Sequence, residues 1–171
     1  MKKNRILQSA MAVLISIILI AVDQLTKIMA FNNLQKGPFV IIDGVFELRY
    51  TSNYGAAWGI LSGQRIFFII ITIVICAVIT FLFAKTPHTK KYLPLMTCEL
   101  LAASGAIGNF IDRVLLGYVR DFLYFSLINF PIFNIADCYV VISAILLCVL
   151  VLFVYKDEDF DFLKKNKKEN A

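Results

Sequence analysis

The residues best equipped for chemistry in this sequence are carboxylates. Asp121, in Val119-Arg120-Asp121-Phe122, and Asp137, in Asn134-Ile135-Ala136-Asp137, are aspartates set among apolar residues and separated by a largely apolar run. Hydrolysing an amide needs one group to activate water and another to protonate the leaving nitrogen. Two carboxyls held close together do both, because their repulsion leaves one proton shared between them. A plainer reading stands beside this one. Asn134 suits a helix N-cap, and Asp137 then falls at the third helical position, where the dipole favours an anion, so capping alone accounts for the pair. Other protease chemistry has little to work with. Ser104 lies in Ala-Ala-Ser-Gly with no histidine base nearby and reads as a small helix-packing residue.

Other ionisable residues also sit in or beside apolar runs, where each is costly. Asp23 and Lys27 are four apart and share a helix face, which reads as an ion pair. Asn109, Asp112 and Arg113 follow at i, i+3 and i+4, again open to a purely structural reading. Glu99, inside an apolar run, is expected to face its neighbours protonated or hydrogen-bonded. No metal or cofactor is expected. The four cysteines (Cys76, Cys98, Cys138, Cys148) lie in apolar stretches without a paired spacing, and the single histidine, His88, sits in a polar loop.

The elements that must carry these groups are membrane spans. Of 171 residues, 60% are hydrophobic, more apolar surface than a soluble domain of this size can hide. The length suits a single membrane-embedded domain, residues 1–171. Spans are predicted over about 6–30, 66–84, 92–113 and 137–155, each near the length that crosses the hydrocarbon core. The net charge of +5 comes from lysines and arginines that flank these runs instead of forming one patch, which argues against nucleic acid as a partner. Eleven basic residues collect on one side and five on the other, so the positive-inside rule puts both termini in the cytoplasm and segments 31–65 and 112–137 outside. The first span lacks a small-residue cleavage site and reads as a retained helix, not a signal peptide. In the first outer loop, the alternation around Asp43-Gly44 predicts a β-hairpin over about 39–51, followed by a short apolar piece carrying Trp58 that suits the interface. The charged tail, 156–171, is expected to be solvated in the cytoplasm.

Five stretches, in order from the first span to the fourth, resemble the lipoprotein signal peptidases (signal peptidase II). They are Asp23-Gln24-Leu25-Thr26-Lys27, Asn53-Tyr54-Gly55-Ala56-Ala57-Trp58, Gly105-Ala106-Ile107-Gly108-Asn109-Phe110-Ile111-Asp112-Arg113, Val119-Arg120-Asp121-Phe122 and Phe133-Asn134-Ile135-Ala136-Asp137. The resemblance implies an all-α membrane protein, a four-transmembrane-helix bundle with a small extracytoplasmic antiparallel β-sheet that cradles substrate. It implies an aspartic endopeptidase of the bacterial cytoplasmic membrane that removes the signal peptide from a prolipoprotein, just before a cysteine carrying diacylglyceryl. By motif position the catalytic pair falls on Asp121 and Asp137. Asn53, Asn109, Arg113 and Asn134 would line the substrate site, and Asp23, Lys27 and Asp112 would organise it. The partners implied are lipidated prolipoproteins, membrane phospholipid and the inhibitor globomycin; a monomer is expected. The apolar segment 122–136 is expected to form a mobile lid over lipid. The competing class is a small proton-linked transporter with buried carboxylates, against which stand the gathering of polar groups at one interface and the lack of an inverted repeat.

Overall fold

A computed structural model of the chain describes residues 2–56 and 59–164. Four long helices run up and down: α1 (Lys2–Asn33), α2 (Arg65–Lys85), α3 (Leu93–Leu115) and α4 (Ile135–Val149), the last continued by a π-helical turn, Leu150–Val154. All four are long and apolar enough to cross a membrane. α2 fully buries only Thr72 and leaves most of its side chains exposed, as a helix bathed in lipid does. α3 is the central helix and packs on the other three. Close approach there is set by small residues. A Cβ at Gly105 would run into the carbonyl oxygen of Ala136, and one at Gly108 would lie 2.6 Å from Asp23 Oδ2.

Both inter-helix segments at one end of the bundle contribute to a single antiparallel sheet. β1 (Phe39–Ile42) and β2 (Phe46–Asn53) form the hairpin, turned at Gly44 with φ +67° and closed by the Val45 N–H on the Ile42 carbonyl. The sheet has a third strand, β3 (Val119–Tyr124), paired with β2 in the order β1-β2-β3. The expected hairpin is therefore two-thirds of the sheet, and the missing third carries Asp121. Six residues with polar side chains at two inner positions give a weak strand signal, and the partner strand lies far back in the sequence.

Two further expectations change. Segment 122–136 is tied down instead of forming a free lid. Phe122–Tyr124 belong to β3, and Phe133 bridges back to Leu123 through N–H···O contacts of 2.8 and 3.0 Å. Between them Asn129 takes a left-handed conformation (φ +48°) and accepts a hydrogen bond from the Tyr124 hydroxyl at 2.6 Å. The tail, expected to be solvated from 156 onward, docks over its first part. Residues Asp157–Leu163 form a 3-10 helix whose Phe160 and Phe162 pack with Tyr92, Leu95, Leu150 and Tyr155, and whose Asp159 pairs with Lys91. Alternating Asp and Phe gives this turn an apolar face and an ionic one, and the apolar face decides. Trp58 and residues 165–171, for which an interfacial seat and a solvated tail were expected, lie outside the described residues.

Candidate active site

The start of α4 fixes Asp137. Asn134 is its N-cap: the Asn134 side-chain oxygen accepts the Asp137 N–H (3.0 Å), and Asp137 Oδ2 accepts the Asn134 N–H (3.0 Å), a reciprocal capping box. The other oxygen, Oδ1, accepts the Asn109 amide from α3 at 2.7 Å. Asp121 comes from the opposite direction, on β3. Its Oδ2 accepts the amide of Asn53, from the end of β2, at 2.9 Å, and its Oδ1 accepts the amide of Asn134 at 2.6 Å. One asparagine is thus bonded to both carboxylates. Asp121 is 2% exposed. Burial pushes its carboxyl up to about 7; the negative charge of Asp137 adds to that, and the Asn53 and Asn134 amides oppose it.

A layer of buried charge lies behind this pair. Lys27 donates to Asn109 Oδ1 (2.9 Å) and pairs with Asp23 (2.8 Å), with Asp112 at 3.8 Å. Asp23 Oδ1 accepts the backbone N–H of Ala136 at 2.9 Å, so α1 helps to cap α4. Asp112 takes a forked contact from Arg120, and Gln24 joins Asp23, Asp112 and the Gly108 carbonyl. Asp23, Lys27 and Asp112 are fully buried. Charges in that setting persist only when paired and hydrogen-bonded, and these are.

Arg113 faces the other way. Its guanidinium donates to the Gly55 carbonyl (3.1 Å) and lies 4.7 Å over the Phe68 ring. With Asn53, Asn109, Asp121 and Asp137 it lines a cavity of about 660 Å³ whose other walls are mostly apolar, among them Phe133, Val140 and Val141. Asn53 and Asp121 also border a second, more polar cavity of about 540 Å³ that runs along β2 to Arg49 and Tyr124. Phe130, Pro131 and Ile132 border both. The residues singled out from sequence are therefore gathered in two shells: Asn53, Asn109, Arg113, Asp121 and Asp137 at the cavity, joined by the buried Asn134, with Asp23, Lys27 and Asp112 behind them. Arg120 and Gln24 belong to the rear shell and were not picked out. Arg65 was also missed; it donates to the Arg113 and Val114 carbonyls at the end of α3 (2.7 and 2.6 Å). A basic residue opposite a helix C-terminus is the only local hint. Among the described residues, no group of three or more His, Cys, Asp or Glu side chains could hold a metal ion.

The profile of the signal peptidase (SPase) II family matches residues 15–153. The chain belongs to the signal peptidase II family. This peptidase is 40% identical over 151 residues to a lipoprotein signal peptidase of Streptococcus pyogenes serotype M5 (strain Manfredo), covering 86% of this chain and 95% of that one. The lipoprotein signal peptidase of serotype M18 (strain MGAS8232) gives the same figures. Among solved structures, it resembles a bacterial membrane enzyme determined by the in meso method at 2.3 Å resolution, with TM-score 0.74, 34% identity, and coverage of 93% of this chain and 94% of that one. A second bacterial membrane enzyme, determined at 1.9 Å resolution, gives TM-score 0.72 and 36% identity over 85% and 95% of the two chains. Membership of a peptidase family leaves the carrier reading with no observation in its favour.

Proposed function

We propose that this signal peptidase II cleaves prolipoproteins as an aspartic endopeptidase, with Asp121 and Asp137 as its catalytic pair at the outer face of a bacterial cytoplasmic membrane. Removal of signal peptides from prolipoproteins is the function its relatives carry. The observation behind the aspartic mechanism is the double contact of Asn134, 2.6 Å to Asp121 and 3.0 Å to Asp137, at the wall of one cavity.

Charge balance supports a pair that holds one proton. Asp23 and Asp112 supply two negative charges, and a singly protonated pair supplies the third. Lys27, Arg113 and Arg120 match them, so the buried cluster is neutral only with that proton present. Asp121 is the better seat for it, raised to about 7 by burial and by Asp137. Asp137, which accepts the Asn134 N–H and the Asn109 amide at a helix start, takes the role of base. It draws a proton from water as the oxygen attacks the scissile carbonyl. Asp121 first supports the developing oxyanion and then gives its proton to the departing amine, and the pair returns to one shared proton.

Asn53, Asn109 and Arg113 hold the peptide around this pair. The apolar wall from Val140 and Val141 on α4 suits the diacylglyceryl chains, which remain in contact with phospholipid, and globomycin would occupy the same cavity. The exposed edge of β1 is free to pair with extended peptide. The basic flanks put both termini in the cytoplasm, and the protein works as a monomer. Cleavage of a lipidated precursor in water enriched in oxygen-18 tests the mechanism. Direct attack by water labels the new carboxyl of the signal peptide in the first turnover and leaves Asp121 and Asp137 unlabelled. Label appearing in either aspartate would mean a covalent acyl-enzyme and overturn the proposal.

A further inference from the structure

Pairing within the sheet is interrupted immediately after Asp121. β2 and β3 run in register from Asn53 opposite Val119 to Thr51 opposite Asp121, and there the register slips, leaving Arg49 and Tyr50 together opposite Phe122 before Leu48 meets Leu123. Such a bulge disrupts the ladder locally. Successive side chains of a strand alternate between faces, so a slip of one residue would turn Asp121 away from the cavity and bring Arg120 towards it.

Arg120 is bonded so as to prevent that slip. Its guanidinium grips Asp112 with two nitrogens, at 2.6 Å to Oδ1 and 3.1 Å to Oδ2. Its own backbone N–H donates to the same Oδ2 at 2.9 Å. The terminal nitrogen also reaches Gln24 Oε1 on α1 at 2.9 Å. The receiving carboxylate is fully buried on α3, one residue before Arg113 at the cavity. Side chain and main chain of a single β3 residue are therefore both fastened to one fixed point, immediately beside the residue that has to face the cavity.

We propose that Arg120 is a positioning residue: it locks β3 against α3 through Asp112, and so sets the direction in which Asp121 points. The inference rests on the catalytic reading of Asp121. The planar fork matters here as well as the charge, because a lysine ammonium cannot make the two parallel contacts.

The test uses full-length protein in detergent micelles with a lipidated precursor, comparing Arg120→Lys, Arg120→Gln, Asp112→Asn, the Asp112→Asn/Arg120→Gln pair and Asp121→Asn. Misplacing a reacting group by about an ångström costs on the order of a hundredfold. Both Arg120 variants should accordingly lose at least about tenfold in kcat with KM within about threefold of the parent. The double variant should be no slower than Asp112→Asn alone, since both changes remove one linkage. Arg120→Lys keeps the charge, so it stands in if Arg120→Gln does not fold. Parental kcat in Arg120→Lys, a raised KM with kcat unchanged, or losses that multiply in the double variant would each overturn the positioning role. Asp121→Asn separates the two ideas. If it cleaves normally, the aspartic reading fails; if it is inactive while the Arg120 variants are normal, only the positioning role fails.

Discussion

Asp23 on α1 accepts the backbone N–H of Ala136 at the start of α4, 2.9 Å away and 113 residues along the chain. The helix that presents Asp137 is thus capped twice, locally by Asn134 and from across the bundle by Asp23. The same carboxylate neutralises Lys27, which orients Asn109, which bonds Asp137. Replacing Asp23 with Ala leaves a buried ammonium and a buried N–H short of a partner. Losing one partner of a buried ion pair costs roughly 3–5 kcal/mol. Thermal unfolding in detergent should show Asp23→Ala strongly destabilised, and a midpoint equal to the parent's would contradict this role.

Glycine at 105 and 108 tests the close packing. An alanine methyl at 108 meets the Asp23 carboxylate, whereas at 105 it meets a main-chain carbonyl and the Val140 side chain. The Asp23 carboxylate is held by Lys27, Gln24 and the Ala136 N–H and yields no more readily than the Ala136 carbonyl, so Gly105→Ala and Gly108→Ala are both expected to destabilise. Overpacking costs about 1–3 kcal/mol in general. The two unfolding midpoints in detergent are the measurement, and a parental midpoint in either variant counts against the packing described.

Asn134 has two separable duties. Serine at this position keeps a cap for α4 but is too short to carry a donor to Asp121. Asn134→Ser should unfold within about 1 kcal/mol of the parent, as cap exchanges do, yet lose at least about tenfold in kcat. Equal losses of stability and activity would reduce Asn134 to a cap.

The pH profile follows from Asp121. In the proposed mechanism Asp121 donates the proton and so must be protonated, and its carboxyl is raised to about 7. Activity is therefore supported below that value and lost as pH rises through it. The kcat/KM profile for lipidated precursor should fall on the alkaline side near pH 7, with the opposite limb set by protonation of the base. A profile that climbs steadily through pH 8 would remove Asp121 from the role of acid.

Glu99 answers a narrower question. The Thr86 hydroxyl lies 3.0 Å from the Leu82 carbonyl and 2.9 Å from Glu99 Oε1, and its single hydrogen cannot serve both. A protonated Glu99, or a glutamine in its place, supplies the missing donor. Glu99→Gln should keep parental stability and cleavage, and Glu99→Ala should lose stability; a large effect of the glutamine would show that the charge is needed.

What the sequence revealed of this site is what lies close together along the chain. Asn134 with Asp137, three apart, and Asp23 with Lys27, four apart, are helical neighbours whose contact follows from periodicity. The spans were legible because lipid demands long apolar runs. Arg120 with Asp112 was not, although only eight residues separate them, because the contact depends on a turn and on a strand whose partner is β2, where Ser52 lies opposite Arg120. Gln24 leaves no mark in the sequence, since an uncharged residue in a helix carries no visible electrostatic cost. The docked turn at Phe160 and Phe162 was hidden by the surrounding charge, though its two aromatics were the better guide.

In the proposed mechanism Asp121 and Asp137 perform the cleavage together. Its most direct test is single-turnover cleavage of a lipidated precursor by Asp121→Asn and by Asp137→Asn, with each variant shown by thermal unfolding to be folded. Loss of either carboxyl from a working acid–base pair removes a factor of at least about a hundred in rate, and neither variant should release product on the parent's timescale. Parental cleavage rate in either folded variant would contradict the account.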